Sequence, residues 1–244
     1  MDYQRKYEKS ENKNIKKISI IKYIICVIII PTVIFIGTKL FDGKKYAFLT
    51  AVVVLLSCVP FIISFEKGKN STEKMVILAV MIALSVFGRY CFSMIPHFKP
   101  ITAITVITGI YMGGEMGFLC GALAAVLSNF IFGQGPWTPF QMLAWGMTGL
   151  IAGLLSRYLK KYMVALAAYG AVSGIIYSMI MDIWSAMWQD GVFNIKRYVA
   201  CIISGIPTTA TYIVSNIIFL LILARPVGRK LERVKLKADI IEKD

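Results

Sequence analysis

The sequence predicts an all-α polytopic membrane protein in which six helices form one bundle, two additional transmembrane helices precede them, and both termini are cytoplasmic. Hydrophobic residues make up 57% of the 244, and mean hydropathy is +0.70. Apolar runs of about 20 residues recur, the length that crosses a hydrocarbon core of ~30 Å. The runs do not alternate in the short, ~10-residue fashion of a membrane barrel, so helices satisfy the backbone in lipid. Eight spans follow, near 18–37, 46–65, 75–94, 100–113, 116–132, 140–156, 162–184 and 198–224, the fourth being short. With the N-terminus inside, 20 of the 27 Lys and Arg fall on cytoplasmic segments, which is the positive-inside pattern.

Segment 1–17 is charged and leads into spans one and two, an Ile-, Val- and Leu-rich pair over 18–66 with one proline each, Pro31 and Pro60. A charged linker, Glu66 to Lys74, follows. Its Ser71 and Thr72 ahead of Glu73 set a helix start near 73. The six-span domain is placed at 67–228, with a basic cytoplasmic tail over 229–244. All four Trp (Trp137, Trp145, Trp184 and Trp188), the one histidine, His97, and most glycines lie in this domain. Small residues recur at intervals of four: Ala79 and Ala83, Gly117 and Gly121, Gly149 and Gly153, Gly170 and Gly174. Such stripes let helix backbones approach closely.

Several function classes are excluded by composition and motif. The net charge of +14 comes from residues beside span ends, facing anionic lipid, and not from a soluble basic face, so nucleic acid is not a partner. Cys26, Cys58, Cys91, Cys120 and Cys201 stand singly without C-x-x-C spacing, which excludes a disulfide framework or zinc site. Gly-x-Ser-x-Gly, His-Glu-x-x-His and phosphate-loop signatures are missing, so no enzymatic activity, metal or cofactor is expected, and any uphill transport needs an external motor or an ion gradient.

The candidate binding residues gather toward the outer side. The connector Phe132-Gly-Gln-Gly-Pro-Trp-Thr-Pro-Phe-Gln141 carries Gln134, Trp137, Thr138 and Gln141 among turn-forming residues, more chemistry than a turn requires. Arg89, one turn from the outer end of span three, must snorkel, pair with Asp182 at the same depth in span seven, or offer a donor fork to a ligand. His97 lies between Pro96 and Pro100 in the first outer loop. Asn129 sits one turn below the glycine-rich connector. Trp188 lies in the third outer loop. Together these can stack a planar ligand and bond its edges. Glu115 is read as a solvated carboxylate at a helix start.

This pattern resembles the substrate-binding S components of energy-coupling factor (ECF) vitamin transporters over 75–228. The resemblance rests on six spans with both ends inside, on Ala79-Val-Met-Ile-Ala83 in the first of them, and on the Gly133 to Gln141 segment. It implies that Ala79 and Ala83 dock on a transmembrane coupling subunit, which holds two ATPases, in a cell membrane of bacterial type. It also implies an outward pocket formed by 95–99, 133–141, 177–194 and 205–212, the third of these opening with Tyr177. The Gly135-Pro-Trp-Thr-Pro139 run most resembles members of corrinoid (cobalamin) type, while a flavin or another aromatic vitamin would use the same stacking. The chain departs from the family in its first two spans, which must leave the Ala79/Ala83 face open for docking to hold. A self-sufficient secondary transporter using Arg89 and Asp182 is the rival reading.

Overall fold

A computed structural model of the protein describes residues 20–41, 45–66, 71–190 and 193–241. Segment 1–17, residues 67–70 of the linker and the end of the basic tail lie outside the described residues. Those described form ten helices: α1 (Ile20–Phe41), α2 (Tyr46–Glu66), α3 (Ser71–Cys91), α4 (Ile101–Met112), α5 (Gly114–Phe132), α6 (Thr138–Leu154), α7 (Ser156–Lys161), α8 (Met163–Asp190), α9 (Ile195–Ser204) and α10 (Ile206–Ile241). Five of them, α1, α3, α5, α8 and α10, contain stretches long and apolar enough to cross a membrane. The protein is an all-helical, multi-pass membrane bundle.

Each expected span has a helix, but the last one differs in form. The run expected at 198–224 breaks at Gly205, whose N–H bonds Cys201 O at 2.8 Å and ends α9. Pro207, which has no N–H to donate, then sits in the first turn of α10, where none is needed. The α9 helix leaves Ile195, Val199 and Ile203 exposed along one stripe, as expected of a helix lying against lipid.

The short fourth span is the centre of the bundle. At ~1.5 Å per residue, α4 is about 18 Å long, less than a hydrocarbon core. It tolerates this because every residue from Ile101 to Ile110 is buried by protein. Two of its hydroxyls find partners within the protein: Thr108 Oγ1 donates to Ile104 O at 2.8 Å, and Thr102 Oγ1 accepts from Trp145 Nε1 at 3.2 Å.

Glycine stripes draw α4, α5 and α6 together. A Cβ at Gly117 would lie 2.6 Å from Gly149 O, and one at Gly121 2.5 Å from the Trp145 backbone. Gly170 and Gly174 do the same for α8, facing Ile217 and Ile213 of α10. Three of the four small-residue stripes are therefore internal packing. The fourth is not: Ala79 and Ala83 are both exposed.

The added helices α1 and α2 pack elsewhere. Ile30, Ile34, Leu49 and Val53 join the core cluster of Phe118, Phe140 and Trp145 from α5 and α6. Lys22 of α1 reaches Glu115 at the start of α5, Nζ to Oε1 3.2 Å, with both side chains largely shielded. This corrects the reading of Glu115 as a solvated carboxylate. In an apolar setting, a carboxylate at a helix start is held by a cation from a neighbouring helix.

Candidate functional site

A cavity of about 370 Å³ opens at the end of the bundle that carries the 92–100 loop. It lies between α8 and α10, with α6, α9 and the loop completing its wall. Helix α8 supplies Ser178, Asp182, Ser185 and Gln189, polar positions spaced four, three and four apart and so on one face. Helix α10 supplies Thr208, Thr209 and Tyr212, while His97 and Gln141 enter from the loop and from α6.

The wall is aromatic on one side. Tyr177 meets Tyr212 at a centroid distance of 4.8 Å and stacks on Trp145 at 5.0 Å. His97 touches Tyr212 edge to face, and its Nδ1 lies 3.2 Å from Tyr212 Oη. The His97 backbone holds φ at +60°, a left-handed conformation that a non-glycine residue adopts only when its surroundings hold it there. Those surroundings include Ser215 of α10, which accepts from Lys99 N at 2.9 Å and donates to Lys99 O at 3.2 Å. Burial lowers the pKa of His97, with Lys99 adding repulsion; Lys99 is itself lowered by burial and then by Arg89.

On the polar side, Ser178 Oγ is buried without a hydrogen-bond partner on the cavity wall. A buried hydroxyl without a partner carries a desolvation cost that a bound polar group would relieve.

Arg89 does not line the cavity, and it does not pair with Asp182. Its Nη1 donates to Ser128 Oγ and, at 2.8 Å, to Asn129 Oδ1. The guanidinium also lies over the rings of Phe132 and Trp145, at 4.7 and 5.3 Å. Hydrogen bonds and ring faces together make burial of the cation tolerable. From Asn129 the network divides. Its Nδ2 donates to Thr138 Oγ1 at 3.0 Å and to Gln141 Oε1 at 2.8 Å. Thr138 donates on to Gln134 Oε1, and Gln134 Nε2 bonds Val126 O at 2.7 Å. Gln141 Nε2 reaches Tyr177 Oη at 3.3 Å.

Six of the ten candidate residues, Arg89, Asn129, Gln134, Thr138, Gln141 and Tyr177, therefore belong to one hydrogen-bonded network. Only its far end, Gln141 and Tyr177, faces the cavity, where His97 and Asp182 join them. Gln134 and Thr138 instead knit the connector to α5. Trp137 packs edge to face on Trp184 at 5.8 Å, and Trp184 stacks on the exposed Trp188 at 6.2 Å, beside the cavity and not in its wall. Ser178, Gln189, Thr208, Thr209 and Tyr212 fall within the expected pocket ranges without being singled out by sequence, and Ser204 falls outside them. The stripe from Ser178 to Gln189 was the available signal.

A second concavity, about 550 Å³ and almost wholly apolar, lies on the face formed by α3 and α5. It is lined by Ala79, Ile82, Ala83, Val86, Phe87, Tyr90, Leu127 and Ile131.

Neither the curated proteins nor the solved structures yield a match to this chain. A family does: residues 69–230 match the family described as ECF-type riboflavin transporter, S component, and α1 and α2 lie ahead of that match. With two thirds of its length matched, and with a polar cavity set in a bundle of membrane helices, the chain belongs to the S components of ECF-type transporters.

Proposed function

We propose that the protein is the substrate-capture subunit of an ECF-type importer and that its cavity takes a flavin-class vitamin from outside the cell. The observation that carries this reading is the cavity itself. Its volume of about 370 Å³ is near the lower end of the ~300–1,000 Å³ typical of small-molecule sites. Tyr177, Tyr212 and His97 offer ring faces to a flat heterocycle, while Gln141, Ser178, Asp182, Thr208 and Thr209 offer polar groups to its edge and to a hydroxylated side chain. The description of the matched family names riboflavin.

Corrinoid is the second reading, favoured by the Gly135 to Pro139 run. In the structure Thr138 of that run serves the connector and Trp137 packs on Trp184. A corrin with its axial groups is also far bulkier than a tricyclic flavin. Both facts support the smaller ligand.

Energy comes from partners. The apolar groove at Ala79 and Ala83 suits a helix of a membrane coupling subunit, and α1 and α2 leave it open. The surplus of Lys and Arg on one set of connectors supports cytoplasmic termini, with the cavity then facing outward. The unpaired arrangement of Arg89 and Asp182 gives no support to a self-sufficient secondary transporter built on that pair. Mass spectrometry of small molecules released from the purified protein tests the reading. Release of a flavin, with co-purification of a coupling membrane protein and two ATPases, is expected; release of a corrinoid would replace the substrate assignment.

A further inference from the structure

Arg89 stands at the head of a chain of amides and fixes its direction from one end. On a side branch the Val126 carbonyl acts in the same sense, because it takes Gln134 Nε2, Gln134 Oε1 takes the Thr138 hydroxyl proton, and Thr138 Oγ1 accepts from Asn129 Nδ2. A guanidinium donates hydrogen bonds and accepts none, so the group of Asn129 that meets it is Oδ1, at 2.8 Å. Nδ2 of Asn129 then points away from Arg89 and donates to Gln141 Oε1, also at 2.8 Å. That in turn leaves Nε2 of Gln141 facing Tyr177 and the cavity. Were Arg89 not there, both amides could turn over together once Thr138 released Gln134 Oε1 and gave its proton to the Asn129 oxygen instead. Asn129 would then accept from Gln141, and Gln141 would show its oxygen to the ligand. Two neutral amides make the same bond in either sense.

We propose that Arg89 is a positioning residue that sets the polarity of the binding site: it holds Gln141 as a donor, so the ligand must bring an acceptor to the corner between Gln141 and Tyr177. Tyr177 Oη accepts from Gln141 and shares a hydrogen bond with Tyr212, so the donor left at this corner is the second N–H of Gln141. The matching group is a conjugated carbonyl oxygen or an imine-type ring nitrogen at the edge of a flat heterocycle. The inference deepens the flavin reading and rests on it for the identity of the ligand, but the direction of the chain does not depend on that identity. A ligand offering N–H at this corner meets a second donor and is rejected, because a polar group left unpaired in a buried site costs binding.

The substitution Asn129→Asp tests this. It keeps the size of the side chain and gives Arg89 an ion pair, but a carboxylate only accepts. Gln141 must then turn its Nε2 toward residue 129 and show its oxygen to the cavity. The expected result is a variant at least as heat-stable as the parent, with riboflavin affinity weakened at least about tenfold, the scale of one misdirected hydrogen bond. A role of Arg89 and Asn129 in packing alone predicts unchanged affinity, and that result in a folded variant would overturn the proposal.

A second readout needs no ligand. With ¹⁵N-glutamine labelling, the Gln141 side-chain amide signal is assigned by its loss in Gln141→Leu. It should move in Asn129→Asp and should move or double in Arg89→Met; a single unmoved signal in Arg89→Met, or in a folded Asn129→Asp, would overturn the proposal. If the parent protein does not bind riboflavin, the flavin reading fails, and the amide signal alone decides the direction of the chain.

Discussion

His97 Nδ1 lies 3.2 Å from Tyr212 Oη, with the two rings edge to face at 5.2 Å between centroids. This contact joins the 92–100 loop to α10 at the mouth of the cavity. It also turns a residue with strained φ into part of the wall that a ligand would meet.

Tyr212→Phe keeps the ring and removes the hydrogen bond. A bond of this kind contributes about 1 kcal/mol to holding the loop on α10, so ligand affinity should fall by at most roughly fivefold and the melting temperature by a few degrees. Calorimetric titration of the purified variant measures the first, and a thermal scan the second.

The same contact sets a pH response. Burial and Lys99 hold the folded-state pKa of His97 below its ordinary value of 6.5. In the folded protein the ring therefore stays neutral at pH values where the freed loop would already be protonated. The stability of the docked loop is complete above about 6.5 and falls as pH drops from there toward the lower folded value. Affinity measured from pH 8 to 5 should decline on the acid side, and His97→Gln should flatten that decline. An affinity that rose on acidification would contradict the assignment.

Ala79 and Ala83 face an open apolar groove, on the opposite side of function from the cavity. Ala83→Trp fills that groove without touching the ligand wall. Affinity of the purified protein should be unchanged, whereas uptake in cells carrying the partner subunits should fall by tenfold or more. Normal uptake would show that docking does not use this face.

Lys22 and Glu115 fasten the added helices to the start of α5, at 3.2 Å and mostly shielded. Removing one partner of such a pair costs more than the pair contributes, because the other charge remains buried. Glu115→Gln should lower the melting temperature by several degrees, and Lys22→Met with Glu115→Gln should recover part of that loss. A thermal shift series on the three variants checks it.

Much of this architecture was legible from the chain. Hydropathy located a helix for each expected span, and five of the helices are long and apolar enough to cross a membrane. The glycine intervals announced close packing, and Gly117 against Gly149 shows it. What hydropathy could not see was the break at Gly205: α9 begins with Lys196 and Arg197 but leads straight into apolar α10, so the average over 198–224 runs across the break.

The site was half legible. Arg89, Asn129 and Gln141 were recognisable as polar residues without a solvent to face. Whether each meets a ligand or another side chain depends on distances of 2.8 to 3.3 Å between different helices, which no spacing along the chain encodes. The sequence alone leaves Arg89 three options, snorkelling, Asp182 or a ligand; in the structure it bonds Ser128 and Asn129, one layer behind the cavity. The expected pocket range 177–194 takes in the Ser178 to Gln189 stripe, but of its members only Asp182 stands out in the sequence, because α8 is otherwise so apolar.

The most direct test of the central claim is titration of the purified full chain with riboflavin, followed by quenching of the flavin's own fluorescence. The account predicts saturable one-to-one quenching, not displaced by cobalamin, and lost when Thr208→Trp fills the cavity. Absence of quenching together with tight cobalamin binding, or riboflavin binding that Thr208→Trp leaves unaltered, would contradict it.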